Sequence, residues 1–482
     1  MTTTTQAPLR ASHLAPDIHA TVGTATGWSR RIWLLLVVLC GALFLDGLDV
    51  SMVGVALPSI GADLHMGQAQ LQWIVSGYVL GYGGLLLLGG RASDLIGRRS
   101  VFLSALAVFG LASVATALVD VDLLIIALRF VKGVAAAFTV PAGLSIITTT
   151  FAEGPARNKA LSIYTVCGAS GFSLGLVFGG LLTELSWRAT LLFPGPVALV
   201  LLAVGLKVVP RAAGQGFRLA HFDVLGALTS TGSLLVFVYA VVQAPQAGWG
   251  SGSTVGLLVA AAVLLAAFVA VERRHAHPLL RLGILRSVRL VHANLAGMAM
   301  FGGYVAFQFV VTLYLQDSLQ WSPLAMALGF LPAGLIVVAS ATKMDKVLDR
   351  VPTPLMIAVG LAAFVIGYLL FLRVQPGMGY AAFLLPTIIL LGVGFALCFP
   401  AVNSQATAGV DDDEQGLASG LVNTSIQLGG AVMLAVTTAI LGSAGRPTAG
   451  ALIPGMIPAV AVVSALTVTA LVATIGVIVR RR

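Results

Sequence analysis

The sequence predicts an all-helical protein that crosses a membrane many times. Three observations carry this: the composition, a recurring apolar run, and the placement of the basic residues. Of 482 residues, 58% are hydrophobic and only 9% are charged, against about 25% charged in an ordinary soluble domain. So much apolar surface would leave large patches against water. Apolar runs of about 20 residues recur along nearly the whole chain, each long enough to cross a bilayer. Backbone groups in lipid must be satisfied internally, which leaves helices or a closed barrel. Barrel strands alternate apolar and polar residues, and these runs do not.

Residues 1–30 are rich in Thr and Ala and read as a disordered cytoplasmic tail. The first apolar run begins at Arg30 and Arg31 and reaches about residue 60. That exceeds a signal-peptide core, so it is read as a retained helix. Fourteen spans follow from the pattern, near 32–58, 69–90, 100–119, 122–150, 159–183, 189–209, 222–243, 254–271, 289–316, 323–342, 353–372, 379–408, 415–442 and 454–479. An even number puts both termini on one side. With the termini in the cytoplasm, the inside segments gather Arg30 and Arg31, Arg91, Arg98 and Arg99, Arg157 and Lys159, Arg273 and Arg274, and Lys343 to Arg350. The outside segments hold only Arg188, Arg373 and Arg446. This is the positive-inside asymmetry, and a missed helix would scramble it. It also accounts for the formal charge of +9. No basic stripe is interleaved with aromatic residues as a nucleic-acid groove requires, so nucleic acid is excluded as a partner.

The chain also reads as doubled. RASDLIGRR (91–99) follows the second span, and TKMDKVLDR (342–350) follows the tenth. Asp94 aligns with Asp345, and Arg99 with Arg350. The pattern gives a six-helix bundle over 31–210, two inserted spans with flanking cytoplasmic loops over 211–285, and a second six-helix bundle over 286–482. Internal repeats flanking a midplane site are typical of secondary transporters. No GxxxxGK[ST] loop is present, so nucleotide is not the energy source.

Enzymatic chemistry finds no support. The three cysteines, Cys40, Cys167 and Cys398, each lie in an apolar run and lack disulfide or zinc spacing. The seven histidines fall in loops, tails or at helix ends; His275 and His277 form an HxH with no third ligand in sight. No nucleophile–base or metal cluster lies in a span, so neither an enzyme nor a cofactor is expected.

Four charges do lie within the spans: Asp46 and Asp49 on the first, Arg129 and Lys132 on the fourth. Residues three apart share a helix face. Asp46 sits about 22 Å from the inner end of its helix and Arg129 about 10 Å from the outer end of its own. In a core about 30 Å thick these depths nearly coincide. An acid pair can therefore face a basic pair, and ionisable groups at that depth are functional candidates by default. On the fifth span, Gly171, Gly175 and Gly179 make a smooth stripe, with Gly180 beside it, on which another helix can pack closely. In the loop 90–99, cytoplasmic arginines set topology. Asp94 needs another reason, and a carboxylate there can dock at a helix N-terminus and latch one conformation.

Taken together, these motifs resemble the fourteen-helix drug:proton antiporter branch of the major facilitator superfamily, over nearly all of residues 30–480. LDVSMVGVALP (48–58) resembles that branch's acidic first-helix motif, with its aspartate at Asp49. GRASDLIGRR (90–99) resembles the superfamily loop motif G-x-L-A-D-R-x-G-R-K, matching at Gly90, Asp94, Gly97, Arg98 and Arg99 and departing at Ala92 and Leu95. RFVKG (129–133) resembles R-x-x-Q-G, with Lys132 in place of glutamine. GLVFGG (175–180) resembles the antiporter motif G-P-x-x-G-G, with Leu176 in place of proline. SWRATLLFPGP (186–196) and HFDVLGA (221–227) also look like this branch.

The resemblance implies the major facilitator fold and export of small lipophilic compounds in exchange for protons, without a cofactor. It implies that Asp49 is the proton-coupling acid, Arg129 its basic partner and Asp94 the latch. Asp46 is an added acid with no motif behind it, and Lys132 an added cation. The expected setting is a bacterial-type inner membrane, with a monomeric protein whose partners are lipid, protons and a lipophilic small molecule. Two other readings stand beside it: a carrier for one metabolite, and a non-transporting membrane sensor or scaffold.

Overall fold

The computed structural model describes residues 28–151, 155–211, 223–275, 282–341, 343–410, 415–442 and 450–479. The described chain is built of helices: α1 (Arg30–Leu64), α2 (Gln68–Ile96), α3 (Arg98–Ala117), α4 (Asp122–Thr150), α5 (Pro155–Leu185), α6 (Trp187–Leu192), α7 (Pro194–Val208), α8 (Val224–Ala247), α9 (Gly252–Glu272), α10 (Val288–Leu313), α11 (Pro323–Ala341), α12 (Met344–Arg350), α13 (Thr353–Phe371), α14 (Tyr380–Phe383), α15 (Leu385–Thr407), α16 (Gln415–Gly442) and α17 (Met456–Val479). Among the described residues, 13 helical stretches are long and apolar enough to cross a membrane. The 29-residue α2 is not in that set, yet it is packed between α4, α8 and α16. Residues 1–27 lie outside the described residues, and with them nearly all of the expected tail.

The exposed apolar faces point to lipid as the solvent of this fold. On α9, Val255, Val259, Val263 and Leu265 are exposed, and on α17 so are Leu466, Val472, Ile475 and Val479. A water-soluble protein of this size would cover such stripes. The outermost helices are instead apolar on their outer faces, as spans in a bilayer must be.

Two of the expected loops are largely helix. Residues 91–96 continue α2, and α3 begins at Arg98, so only Gly97 separates them. Its φ of 107° is open to glycine and strained for any residue with a Cβ. The charged composition of 91–99 suggested a loop, but nothing in it except Gly97 opposes a helix. In the matching segment 342–350, α12 occupies Met344–Arg350. The sixth span is two helices, α6 and α7, meeting at Phe193, and Pro194 at the first position of α7 lacks the N–H that a helix start would leave unpaired.

The packing positions the site. In the first part of the chain α1 lies against α5 and α7, α2 against α4, and α3 against α4 and α7. In the last part α10 lies against α15, α16 and α17, and α13 against α15 and α17. These groups meet along α5–α11 and α2–α16. The pair α8–α9 sits at the second seam, where α8 touches both α2 and α16. Near the end of α1, the Gln316 amide donates to the Val55 carbonyl at 3.0 Å and ties α1 to the helical turn Tyr314–Ser318 that follows α10.

The glycine stripe on α5 faces α1. A Cβ at Gly175 would stand 2.6 Å from the Leu48 carbonyl, and one at Gly179 would stand 2.8 Å from the Met52 Cα. Gly171 abuts the Phe44 backbone. Gly180 turns the other way, where a Cβ would meet Leu324 Cα on α11 at 2.8 Å. One short run of glycines therefore serves both the α1 contact and the α5–α11 seam.

At the outer end expected from the charge pattern, Arg188 on α6 joins Asp63 on α1 at 3.0 Å and also reaches Asp120 before α4. Trp187 Nε1 donates to the same Asp63 oxygen at 2.8 Å, and the guanidinium lies 4.1 Å from the Trp187 ring centroid. Both carboxylates are half-exposed or more, and exposed pairs contribute about 0–1 kcal/mol. Arg188→Ala is therefore expected to lower the thermal midpoint only slightly. A large drop in a thermal melt of the purified protein would show that the strap does more than this.

Candidate functional site

The site begins with a close approach of α2 and α4. A Cβ at Gly133 would lie 2.9 Å from the Tyr78 carbonyl carbon and 3.0 Å from Tyr82 N. One at Gly81 would stand 2.9 Å from Val134 N. Small residues let two membrane helices touch backbone to backbone. With α2 and α4 this close, the side chain of Arg129 passes beside Ile74 and Tyr78 of α2, that of Lys132 beside Phe109 of α3, and both reach α1.

There Asp49 receives both cations. Arg129 Nη1 donates to Asp49 Oδ2 and Lys132 Nζ to Asp49 Oδ1. Arg129 Nε also donates to the Ile74 carbonyl at 3.2 Å. All three side chains are 0–1% exposed. The Arg129 guanidinium lies 4.6 Å from the Tyr78 ring centroid, and Lys132 Nζ 4.9 Å from that of Phe109. Buried cations gain from such desolvated aromatic faces. A buried charge cluster survives in lipid only when its members are paired and hydrogen-bonded.

Asp46, one turn earlier, takes a different partner: Tyr78 Oη donates to Asp46 Oδ1. Asp46 retains 8% exposure. Among the described residues no cation lies within ion-pair distance of it. The expected facing of two acids and two bases is therefore lopsided, with both bases on Asp49. Tyr78, Gly77 and Gly81 were not among the residues expected from the sequence. The spacing of Gly77 and Gly81 was a usable signal for close packing; nothing marked the Tyr78 hydroxyl.

The expected latch residues lie around the junction of α2 and α3. Gly90 lies within α2, with a Cβ position in ordinary contact with Pro141. Gly97 forms the break, and the side chain of Asp94 lies outside the described residues. Arg99 donates to the carbonyls of Leu206, at 2.6 Å, and Val209. These carbonyls close the end of α7, where a cation is favourable. Arg98 begins α3 beside it. Among the described residues no group of three or more His, Cys, Asp or Glu could hold a metal; His277 is outside them. His292 is buried within α10, with Nε2 2.8 Å from Thr474 Oγ1 and Nδ1 2.6 Å from Gln405 Nε2.

Comparison with known proteins agrees with this architecture. The profile of the Major Facilitator Superfamily matches residues 39–434. The puromycin resistance protein of Streptomyces alboniger is 39% identical over 435 residues, covering 88% of this chain and 85% of that one. The cephamycin export protein of Amycolatopsis lactamdurans is 36% identical over 411 residues, 85% of each. A crystal structure of a peptide transporter in complex with sulfate superposes with a TM-score of 0.70 at 16% identity, covering 97% of this chain and 99% of that one. At that identity the likeness speaks to the fold alone.

Proposed function

The chain belongs to the Major Facilitator Superfamily, a family of multi-pass membrane transporters rather than enzymes, and on that premise we propose that it is a proton-coupled exporter of small lipophilic compounds, drugs or antibiotics among them, working by alternating access. The observation that carries the coupling is the buried Asp49–Arg129–Lys132 cluster with Asp46 beside it. Ionisable side chains at this depth are costly and mark ion or substrate pathways. The chain has no phosphate loop for a nucleotide, so a proton gradient is the energy source in this reading. The names of relatives that export or resist puromycin and cephamycin support the direction and the substrate class. Two helix groups that meet along the α5–α11 and α2–α16 seams support alternating access, in which one group rocks against the other.

A toxicity and accumulation screen in a host stripped of its own efflux pumps tests the reading. Expression is expected to lower accumulation of lipophilic drugs and to do so only while a proton gradient stands. Accumulation that is unchanged across a broad panel, or that survives collapse of the gradient, counts against it. The proposed orientation, fourteen spans with both termini inside, is checked separately. A reporter fused after Leu280 is expected to read as cytoplasmic, because Arg273, Arg274, Arg281, Arg286 and Arg289 gather there. A reporter that reads as external removes the fourteen-span count.

A further inference from the structure

The four intramembrane charges sum to zero, two acids against two bases, but they are not shared evenly. Asp49 is matched twice, one cation on each oxygen, and all three groups are sealed from solvent. Among the described residues no cation pairs with Asp46; a phenol holds one of its oxygens, and it is 8% exposed against 0–1% for the other three. Exchange of a proton needs a carboxyl that solvent or substrate can approach and whose two charge states both leave the surroundings tolerably balanced. For Asp49, protonation would strand two buried cations. For Asp46, protonation breaks no ion pair.

We propose that Asp46 is the carboxyl that exchanges its proton in this transporter, that Lys132 fixes this division by locking Asp49 into a double ion pair, and that the substrate group competing with the proton is a single ammonium or comparable monocation.

The inference rests on the proton-coupled reading above. In the exchange the O–H bond of the Asp46 carboxyl breaks, its electron pair stays on oxygen, and the proton leaves to water. A substrate cation then occupies the oxygen so freed. The Tyr78 hydroxyl donates to the ionised form and holds the carboxylate in place. The charges close: with Asp46 ionised the quartet is neutral, and with either a bound proton or a bound monocation it carries one positive charge. One proton for one monocation is then electroneutral. The titratable and charged groups around Asp46 are Asp49 on its own helix, Tyr78 and Tyr82 on α2, Arg129 and Lys132 on α4, and Tyr164 on α5. The tyrosines bring no positive charge, and both cations are committed to Asp49.

The test reads the proton directly, without a substrate. Infrared difference spectra of the whole chain in lipid nanodiscs, taken between about pH 5 and about pH 9, a window above the ordinary carboxyl range in which exposed carboxylates stay ionised, report the C=O stretch of a protonated carboxyl. The wild-type band from the buried site is expected to vanish in Asp46→Asn. It is expected to persist in Asp49→Asn/Lys132→Gln, which removes one acid and one base together and so guards against misfolding. In Asp46→Asn/Lys132→Gln the band is expected to return, now carried by Asp49. A band that survives Asp46→Asn and is lost with Asp49 overturns the assignment, and so does a double variant in which it fails to return. In proteoliposomes with an imposed proton gradient, ethidium serves as the monocation. Wild-type movement is expected to be insensitive to an added membrane potential, and Asp46→Asn to fall to the level of empty liposomes. A potential-dependent wild-type rate overturns one-for-one exchange. Failure of the wild type to move ethidium at all counts against the exporter reading for such cations, while the infrared result decides Asp46 on its own.

Discussion

Asp49→Asn is expected to cost more folded protein than any other single change in the first four helices. The amide keeps the shape of the side chain but strands two buried cations, Arg129 and Lys132, which among the described residues pair only with this carboxylate. Removing one partner of a buried ion pair costs about 3–5 kcal/mol, a large share of the stability of most proteins. The yield of monodisperse protein in size-exclusion chromatography is expected to fall at least about tenfold, since each 1.4 kcal/mol is a factor of ten in an equilibrium. Adding Lys132→Gln removes one stranded cation and is expected to restore much of the loss. Arg129→Ala should be milder than Asp49→Asn, because Lys132 remains to hold Asp49. If Asp49→Asn alone gives wild-type yield and melting temperature, the double ion pair is not what holds α4 to α1. If Lys132→Gln fails to rescue it, the loss has a cause other than unpaired charge.

The elements of this prediction were unequally legible in the sequence. The spans could be read because lipid imposes a length and a composition on every one of them. The depth of Asp49 and Arg129 could be estimated because a helix rises by a fixed amount per residue, which put an acid and a base at one level. What could not be read was the pairing. Asp46 and Asp49 are one turn apart on one face, and Arg129 and Lys132 likewise, so spacing allows either acid to take either base. The choice is set by how α4 lies against α2 at the close approach of Gly133 and Gly81, and no local pattern encodes the placement of one helix against another. Tyr78 stayed hidden for a related reason: a tyrosine in an apolar run looks like packing until the helix opposite is known. The error at 91–99 had another origin. Arginine, aspartate and glycine between two apolar runs look like a loop, yet arginine, alanine and leucine continue a helix readily. The turn is compressed into the one residue whose backbone conformation demands glycine. His292, read as lying at a helix end, is near the start of α10, and packing buries it there against Gln405 and Thr474.

The second large effect is expected at Gly175. The site depends on α1 lying in one place, since α1 carries both Asp46 and Asp49 and α5 presses it from the side opposite to α2 and α4. A Cβ at Gly175 would stand 2.6 Å from the Leu48 carbonyl and 2.8 Å from Leu48 Cα. Those are backbone atoms and cannot rotate away as a side-chain tip would. Gly175→Leu must therefore push the two helices apart along the whole stripe that includes Gly171 and Gly179. Overpacking of a filled core costs about 1–3 kcal/mol and more when backbones must part. In a membrane the loss is compounded, because helix association there rests on close packing rather than on expulsion of water. Gly175→Leu is expected to yield little monodisperse protein, and Gly175→Ala to retain part of the yield with a lowered melting temperature. Gly256→Ala on α9, where a Cβ meets nothing within 4 Å, is the control. It should match or slightly exceed the wild type, because alanine favours a helix over glycine by about 0.5–1 kcal/mol. If Gly175→Leu behaves like Gly256→Ala, the α1–α5 contact is looser than the structure shows. If instead Gly175→Ala folds normally but loses proton-driven transport, the contact is needed in motion as well as at rest. A shift of α1 by a few tenths of an ångström would then be enough to spoil the alignment of Asp49 with Arg129 and Lys132.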